Sequence, residues 1–184
     1  MSRASERKVA DRGESRDNEA DAHVLGVSLR PVVEGDEAFL LRVFASTREA
    51  ERHAVDWSDE AWDEFVRMQS EAQHRHYTTH FSPSEHTIVL CEGQPIGRMW
   101  VYRSASEVRL LDISILTPCR GKGIGTYLIR RLQAEAEEAG LLLHHSVELQ
   151  NDAAHRLYTR LGFRPIATHG LHITMRWTPT DAWH

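Results

Sequence analysis

Apolar and polar residues alternate along several short segments, which is the pattern of β-strands with one buried face. Three such segments, 86–91, 95–103 and 107–116, follow one another and are separated by turns at Gly93 and Ser104. Alternating segments joined by short turns predict an antiparallel meander. Further strands are expected at 27–31, at 141–149, whose apolar start predicts burial on both faces, and in a terminal hairpin of 163–168 and 171–177.

Apolar residues at helical spacing mark the segments between these strands. Helices are predicted at 37–47, 58–77, 125–140 and 152–161. Asp36 and Ser58 are expected to cap the first two. The apolar face of the second helix is expected to consist of Trp62, Phe65, Val66 and Met68. The order β-α-α-β-β-β-α-β-α-β-β predicts a single α/β domain with a mixed, mostly antiparallel twisted sheet.

Composition restricts what the protein binds. The 184 residues suffice for one domain with a full core, and the net charge of -5 argues against nucleic-acid binding, which requires a basic face. No apolar run approaches the roughly 20 residues that span a bilayer, and no apolar signal segment begins the chain. Two cysteines, Cys91 and Cys119, give no disulfide framework, so a reduced, cytoplasmic protein is expected.

The ends of the chain differ from its middle in composition. Residues 1–24 are rich in charged residues and poor in apolar ones, so they are predicted to form a disordered leader. The domain is expected to occupy 25–178, and 179–184 is expected to be a loose tail.

The segment Arg120–Thr126, RGKGIGT, places three glycines and two cations between a predicted strand and a predicted helix. A helix N-terminus attracts anions through its unpaired N–H groups and its dipole, and glycines allow close approach, so a pyrophosphate fits there. The spacing matches neither a P-loop, because Lys122 precedes a glycine, nor G-x-G-x-x-G, because Thr126 replaces the last glycine. The alternative is a turn that only caps the helix.

A second motif, N-x-x-A-x-x-L-Y-x-x-L-G-F at 151–163, follows the next strand. Arg120, Gly123 and Gly125 also fit the pattern Q/R-x-x-G-x-G/A. Together the two motifs resemble the GNAT superfamily of acyl-CoA N-acyltransferases. The resemblance covers about residues 27–177, with the elements in the same order.

The resemblance implies where acetyl-CoA, the cosubstrate, binds. Two parallel central strands, 112–116 and 143–149, would splay apart, and the pantetheine arm would pair with the backbone of the first. The pyrophosphate would lie on the N–H groups of Arg120–Thr126. The implied cofactor-binding residues are Ile113, Ser114, Ile115, Arg120, Gly121, Lys122, Gly123, Ile124, Gly125, Thr126, Asn151, Ala154 and Tyr158.

The resemblance further implies that a neutral amine attacks the thioester directly in a ternary complex. The backbone N–H of Ile115 would stabilise the oxyanion, and Tyr158 would protonate or hydrogen-bond the leaving sulfur. Asp112 and Glu148, on the two splayed strands, are the candidate general bases.

Each assignment has a structural alternative. Tyr158 shares a helix face with two leucines and fits a core aromatic, Asn151 fits a simple N-cap, and Arg120 fits a solvated surface charge. The two candidate carboxylates fit solvent-facing groups or partners of an arginine such as Arg109.

In GNAT-like folds the first two helices form one wall of the acceptor site. The polar stripe of Gln69, Gln73 and Tyr77 is therefore expected to contact the amine substrate, and a solvated helix face is the alternative. The twelve histidines include no H-E-x-x-H, so no metal site is expected. GNAT proteins often dimerise, so a homodimer is an open expectation.

These observations predict an acetyl-CoA-dependent N-acetyltransferase acting on a small-molecule or peptide amine. The alternative is a non-catalytic acyl-CoA sensor or interaction module with the same fold. The sequence leaves the acceptor open.

Overall fold

One seven-stranded sheet organises residues 26–179, the part of the chain that the structure, a computed structural model, describes. The strands are β1 (Val27–Pro31), β2 (Ser84–Cys91), β3 (Gln94–Arg103), β4 (Glu107–Ile115), β5 (Leu142–Glu148), β6 (Arg164–His169) and β7 (His172–Trp177). They lie in the order β1-β2-β3-β4-β5-β7-β6, and only β4 and β5 pair in parallel. The predicted mixed α/β sheet with its antiparallel meander is confirmed.

The helices of the described range are α1 (Glu37–Ser46), α2 (Glu49–Ala54), α3 (Asp59–His80), α4 (Ile124–Ala139) and α5 (Asp152–Arg160), with a 3-10 turn at Thr117–Cys119. Sequence patterns did not predict α2, because none of its residues is buried and it has no apolar stripe. Ser58 caps α3 as predicted, since its Oγ accepts the N–H of Ala61 at 3.3 Å. Within 26–179 no helix is long and apolar enough to cross a membrane. The predicted leader at 1–24 and residues 180–184 of the tail lie outside the described residues.

Two local predictions need correction. Asp36 precedes α1, but its carboxylate makes no capping hydrogen bond to that helix. It accepts two 2.7 Å hydrogen bonds from Arg30 and one of 2.9 Å from the N–H of Val33, which lower the pKa of Asp36 to about 2 and anchor the start of α1 to β1. Met68, assigned to the apolar face of α3, is 53% exposed, whereas Trp62 on that face is buried.

Different helices cover the two faces of the sheet. On one face, Leu128 of α4 packs in the main core with Met99 of β3 and Leu143 of β5. On the other face, Tyr77 of α3 lies edge-on against Trp100 of β3, with ring centroids 5.1 Å apart. We call these the α4 face and the α3 face.

Pairing between β4 and β5 stops partway along both strands. The last paired residues are Leu110 and His145, although both strands continue beyond them. A register shift in the β3–β4 pairing leaves Leu111 in a bulge, and a bulge bends its strand. The predicted splay of the central parallel strands is therefore confirmed. We call the space beyond the last pair, between 111–115 and 146–148, the inter-strand gap.

At the start of the inter-strand gap, two side chains donate hydrogen bonds to backbone carbonyls of β4. Nδ1 of His145 lies 2.7 Å from the carbonyl oxygen of Leu110, and the hydroxyl of Tyr77 donates to the carbonyl oxygen of Leu111 at 2.9 Å. Burial lowers the pKa of His145 to about 4, so the ring is neutral at pH 7 and its Nδ1 carries the donated hydrogen. Because both carbonyls have side-chain donors, the parallel ladder does not extend past this point.

Gly97 of β3 is required by the close approach of β4. A Cβ at this position would overlap the carbonyl oxygen of Ser114 and lie 2.8 Å from Cδ1 of Ile115. Gly97→Ala should therefore lower the free energy of unfolding by about 2–3 kcal/mol, measured by urea denaturation. Gly125→Ala is the matched control, because a Cβ there meets nothing within 4 Å and should leave stability unchanged or raised. An unaltered G97A stability would contradict this packing.

Neutral, buried His145 should make stability depend on pH. The unfolded chain binds a proton near the ordinary histidine pKa of about 6.5, but folded His145 does so only near 4, so stability should fall as pH drops through this window. Burial lowers the pKa of His86 to about 4 as well, and His86 should act in the same direction.

His145→Asn retains an N–H donor towards Leu110 but removes the titrating group. Its free energy of unfolding should be lower than that of the wild type at pH 7, because the smaller side chain leaves a cavity. Between pH 6 and 4.5 its slope should be less steep by up to about 1.4 kcal/mol per pH unit, followed by urea denaturation at each pH. A slope equal to that of the wild type would show that folded His145 takes up its proton as readily as the unfolded chain does.

Candidate functional site

The backbone of β4 presents alternate residues to the inter-strand gap. The N–H of Leu116 donates to the carbonyl of Ile96 at 2.8 Å, which makes the facing pair Gly97–Ile115 the kind that exchanges no hydrogen bonds. The N–H and C=O of Ile115 therefore point away from β3 and into the gap. The same holds two positions earlier for Ile113.

Ser114 and Arg120 lie differently from their predicted positions. Ser114, one of the implied cofactor-binding residues, is buried and its backbone groups face β3, on the side of β4 away from the gap. The N–H of Arg120 donates to the carbonyl of Thr117 at 3.2 Å. The Arg120 guanidinium donates to the carbonyls of Ile115 at 2.7 Å and Ser46 at 3.3 Å. The Arg120 side chain therefore connects the loop to β4 and α1. Because the backbone N–H of Arg120 is already bonded, it is not one of the free N–H donors of the loop.

Glycine is present at the three loop positions for different physical reasons. Gly121 and Gly123 have φ of +75° and +83°, so their backbone conformation alone favours glycine. Gly125 lies in the first turn of α4 and needs no such conformation. A Cβ on Gly125 would meet no protein atom within 4 Å. Neither the backbone nor internal packing therefore accounts for glycine at 125, and the surface there is bare.

The loop before α4 offers a run of backbone donors. From Gly121 to Thr126, no backbone N–H has an acceptor among the described residues, and helical bonding of α4 starts at Tyr127. The side chain of Ile124 is buried in the core and fixes the helix start, while Lys122 is exposed. Free donors, the positive end of the α4 dipole and one cation are the chemistry that binds an anion.

Tyr158 lies on the α4 face at the base of the inter-strand gap. It is buried, with its ring centroid 4.5 Å from that of His145 and 5.2 Å from that of Phe163. Burial raises the pKa of Tyr158, and the charge of Asp112 on β4 raises it further. The phenol therefore remains protonated at neutral pH, and its hydroxyl lies within range of the charges that flank the gap.

The start of α5 is fixed to the end of β5. Oδ1 of Asn151 accepts the N–H of Ala154 at 3.0 Å, so Asn151 is an N-cap. The carbonyl of Glu148 accepts from the N–H of Asn151 and lies 3.0 Å from Nε2 of His155. These bonds place Asn151 and half-buried Ala154 next to the gap, and Glu148 extends from the strand end into solvent.

A polar network covers β4 on the α3 face. Nε of Arg98 donates to the carboxylate of Asp112 at 2.6 Å. Nη2 of Arg98 donates to Oε1 of Gln73 at 2.6 Å. The Arg98 side chain is 4% exposed, so this ion pair is largely dehydrated. The arginine that binds Asp112 is thus Arg98, whereas Arg109, named from the sequence, pairs with Glu107.

Tyr77 connects this network to the inter-strand gap through its hydrogen bond to Leu111. Burial raises the pKa of Tyr77, and the negative charges of Asp112 and Glu148 add to the effect. Gln69 is half-buried and its side chain makes no hydrogen bond within 26–179, so the network includes only two of the three predicted stripe residues.

Sequence reasoning missed Arg98 and His145 as site residues. Each is a polar residue in a stretch of strand that is otherwise mainly apolar, and buried polar groups require partners. A polar residue in a mainly apolar strand was therefore the signal by which the sequence could have identified Arg98 and His145. It did not identify the partners, because these lie on other elements of the chain.

Comparisons with known proteins agree with this geometry. Residues 50–163 match the model of the acetyltransferase (GNAT) family. An N-acetyltransferase from Streptomyces griseus is 33% identical over 90 residues, which are 48% of this chain and 45% of that protein, so the match spans less than half of this relative.

Solved structures show the same fold. The PaiA N-acetyltransferase of Thermoplasma acidophilum, in complex with coenzyme A, superposes with a TM-score of 0.64 at 16% identity, over 83% of this chain and 98% of that chain. An acetyltransferase from Thermus thermophilus gives a TM-score of 0.60 at 20% identity, over 84% and 98%. Because the family model matches more than half of its residues and its fold is that of these enzymes, the chain belongs to the GNAT acetyltransferase family.

Proposed function

We propose that this protein transfers the acetyl group of acetyl-CoA to a primary amine by direct attack in a ternary complex. The observation that carries the proposal is the inter-strand gap, with unpaired backbone donors at one end and a buried tyrosine at its base. Family membership and the coenzyme A complex of a structural neighbour support the choice of cofactor.

The residues present fit coenzyme A. The N–H groups from Gly121 to Thr126, with Lys122 beside them, would hold the pyrophosphate, and bare Gly125 would allow close approach. The gap-facing backbone of Ile113 would pair with the amide groups of the pantetheine arm, and Nδ2 of Asn151 is available to it because only Oδ1 serves the cap. Acetyl-CoA supplies a thioester carbonyl activated towards an amine.

The N–H of Ile115 is the proposed oxyanion donor. It points into the gap, while the carbonyl of the same residue is held by Arg120 at 2.7 Å. A donor fixed in a sheet does not have to reorganise when negative charge develops on the carbonyl oxygen.

Tyr158 would stabilise the departing sulfur. Its raised pKa makes it a weaker acid than an ordinary thiol, whose pKa is about 8.5. We therefore assign it a hydrogen bond to the sulfur rather than complete proton transfer. Buried packing against His145 and Phe163 fixes the direction of the hydroxyl.

Glu148 is the stronger of the two candidate bases. The carboxylate of Asp112 accepts from nearly buried Arg98 at 2.6 Å, and protonating it would break an ion pair that is largely dehydrated. Glu148 is exposed at the open end of the gap, where an incoming amine can lose a proton to it or to water. Asp112 is a positioning residue that orients Arg98 and, through it, Gln73.

Release of free coenzyme A from acetyl-CoA, measured across a panel of amines, tests the proposed activity. We expect release that depends on both an amine and the protein, with the acetylated amine as the second product. Tight acetyl-CoA binding without release for any amine would favour the non-catalytic sensor, and no binding would remove the site itself.

Gly125 separates cofactor binding from folding. Gly125→Leu places a side chain on the bare surface at the start of α4, so it should weaken acetyl-CoA binding at least tenfold in calorimetry while stability stays near the wild-type value. The matched control is Ala134→Leu, which adds the same side chain at an exposed position farther along the same helix and should leave the affinity unchanged. Wild-type affinity in G125L would show that the cofactor does not pass this point.

Tyr158→Phe removes the proposed sulfur hydrogen bond and keeps the buried ring. Turnover should fall about 10- to 100-fold, with acetyl-CoA affinity and melting temperature nearly unchanged. Steady-state kinetics with any amine that gives release, together with calorimetry, measures both quantities. Equal turnover in Y158F would leave Tyr158 only its packing role.

A further inference from the structure

Four basic side chains form one row across the sheet. In the strand register Arg109 of β4 faces His144 of β5, His144 faces Arg176 of β7, and Arg176 faces Arg164 of β6. Directly opposite residues lie on the same face of a sheet. The Arg109 guanidinium lies 5.8 Å from the ring centroid of Phe81, which follows α3, so this is the α3 face. We call Arg109, His144, Arg176 and Arg164 the cationic row.

The cationic row contains more positive charge than its neighbours balance. One carboxylate, Glu107, pairs with Arg109 at 2.9 Å and also lies 2.6 Å from Nδ1 of His144. Burial lowers the pKa of His144, so the positive charge of the row at neutral pH comes from its three arginines. Within 26–179 neither Arg176 nor Arg164 has an ion pair. Like charges directly opposite each other destabilise a sheet, so folding alone does not favour this arrangement. A bound anion would offset the repulsion.

The row is close to the inter-strand gap, and its members differ in exposure: His144 is buried, Arg109 and Arg176 are half-buried, and Arg164 is exposed. Arg109 and His144 directly precede the last paired residues of β4 and β5. Farther along β5, Ser146 and Glu148 are exposed while buried Val147 faces α4, so the α3 face is uncovered beside the gap. At about 3.3 Å per residue, His144 lies roughly 7–13 Å along β5 from Ser146 and Glu148. Arg176 on β7 and Arg164 on β6 lie one and two strands farther from the gap.

The glycine loop lies at the other end of β4 from this row. Arg109 precedes Ile115 by roughly 20 Å of extended strand, and the loop follows Ile115. An anion held by the loop therefore does not reach the row. A ligand that contacts the row and the gap together must approach from the α3 face, opposite α4.

We propose that the cationic row binds an anionic group of the acceptor, so that the preferred substrate is an amine that also carries a carboxylate or a phosphate. This inference rests on the proposed function and specifies its substrate class. Arg176 and Arg164 provide the unpaired charges, and guanidinium groups bind both kinds of anion in bidentate fashion.

Matched pairs of amines test the proposal in the acetyl-transfer assay with the full chain. One arm compares aminoalkanoates of increasing chain length with their carboxamides, and the other compares aminoalkyl phosphates with the corresponding amino alcohols. We expect kcat/KM to be at least tenfold higher for the charged member of the pairs in at least one arm. The arm that shows this preference identifies the anion as a carboxylate or a phosphate. Equal kcat/KM within every pair would overturn the proposal.

Substitutions in the cationic row test whether these arginines cause the preference for charged amines. R176Q and R164Q should each lower the charged-to-neutral ratio of kcat/KM about tenfold, chiefly through KM of the charged amine. Arg130→Gln, at an exposed position on α4, is the control and should leave the ratio unchanged. Because R176Q removes a like-charge contact, its melting temperature should equal or exceed that of the wild type. A lower melting temperature with an unchanged ratio would make Arg176 structural.

Direct binding distinguishes failure of this inference from failure of the proposed function. If no amine releases coenzyme A, the acetyl-transfer proposal fails, but the row is still tested by NMR titration with inorganic phosphate and with an aminoalkanoate. Side-chain signals of Arg164 and Arg176 should then shift in a saturable way that R176Q weakens. Absence of any saturable shift would overturn the anion site.

Discussion

Parallel pairing between β4 and β5 ends at Leu110 and His145, and the arrangement of the candidate site follows from that end point. The bulge at Leu111 bends β4, and side chains rather than β5 satisfy the adjacent carbonyls. His145 donates through Nδ1, and burial keeps its ring neutral at pH 7. Both strands then run on with backbone groups that have no strand partner, so a sheet that is otherwise continuous contains a gap lined by hydrogen-bonding groups.

The inter-strand gap joins two chemically different faces of one sheet. On the α4 face it meets a buried phenol and leads to the glycine loop. On the α3 face it meets the Arg98–Asp112 pair and the cationic row. Because the helices cover these faces unequally, two ligands can enter from different directions and meet in the gap. This geometry suits the direct attack proposed above, in which both reactants must be held at once.

Two arginines in this region orient other groups of the chain. Arg98 is almost fully buried between Asp112 and Gln73, and Arg120 reaches back to carbonyls on β4 and α1. Removing one partner of the dehydrated Arg98–Asp112 pair leaves an uncompensated charge, so this contact stabilises one arrangement of strands and helices. The cationic row differs because its outer members have no such partner in the described chain.

The sequence by itself determined the order of the strands and of every helix except α2, the sheet class and the glycine loop, because periodicity and glycine conformation act over a few residues. It also indicated Asn151 at the start of α5, where an N-cap forms within one turn. Only the tertiary structure decided that Arg98 binds Asp112, that Ser114 turns from the gap, and that residues from four strands align as one cationic row. Those outcomes depend on strand register and on one bulge, and register is set by contacts between segments far apart in the chain.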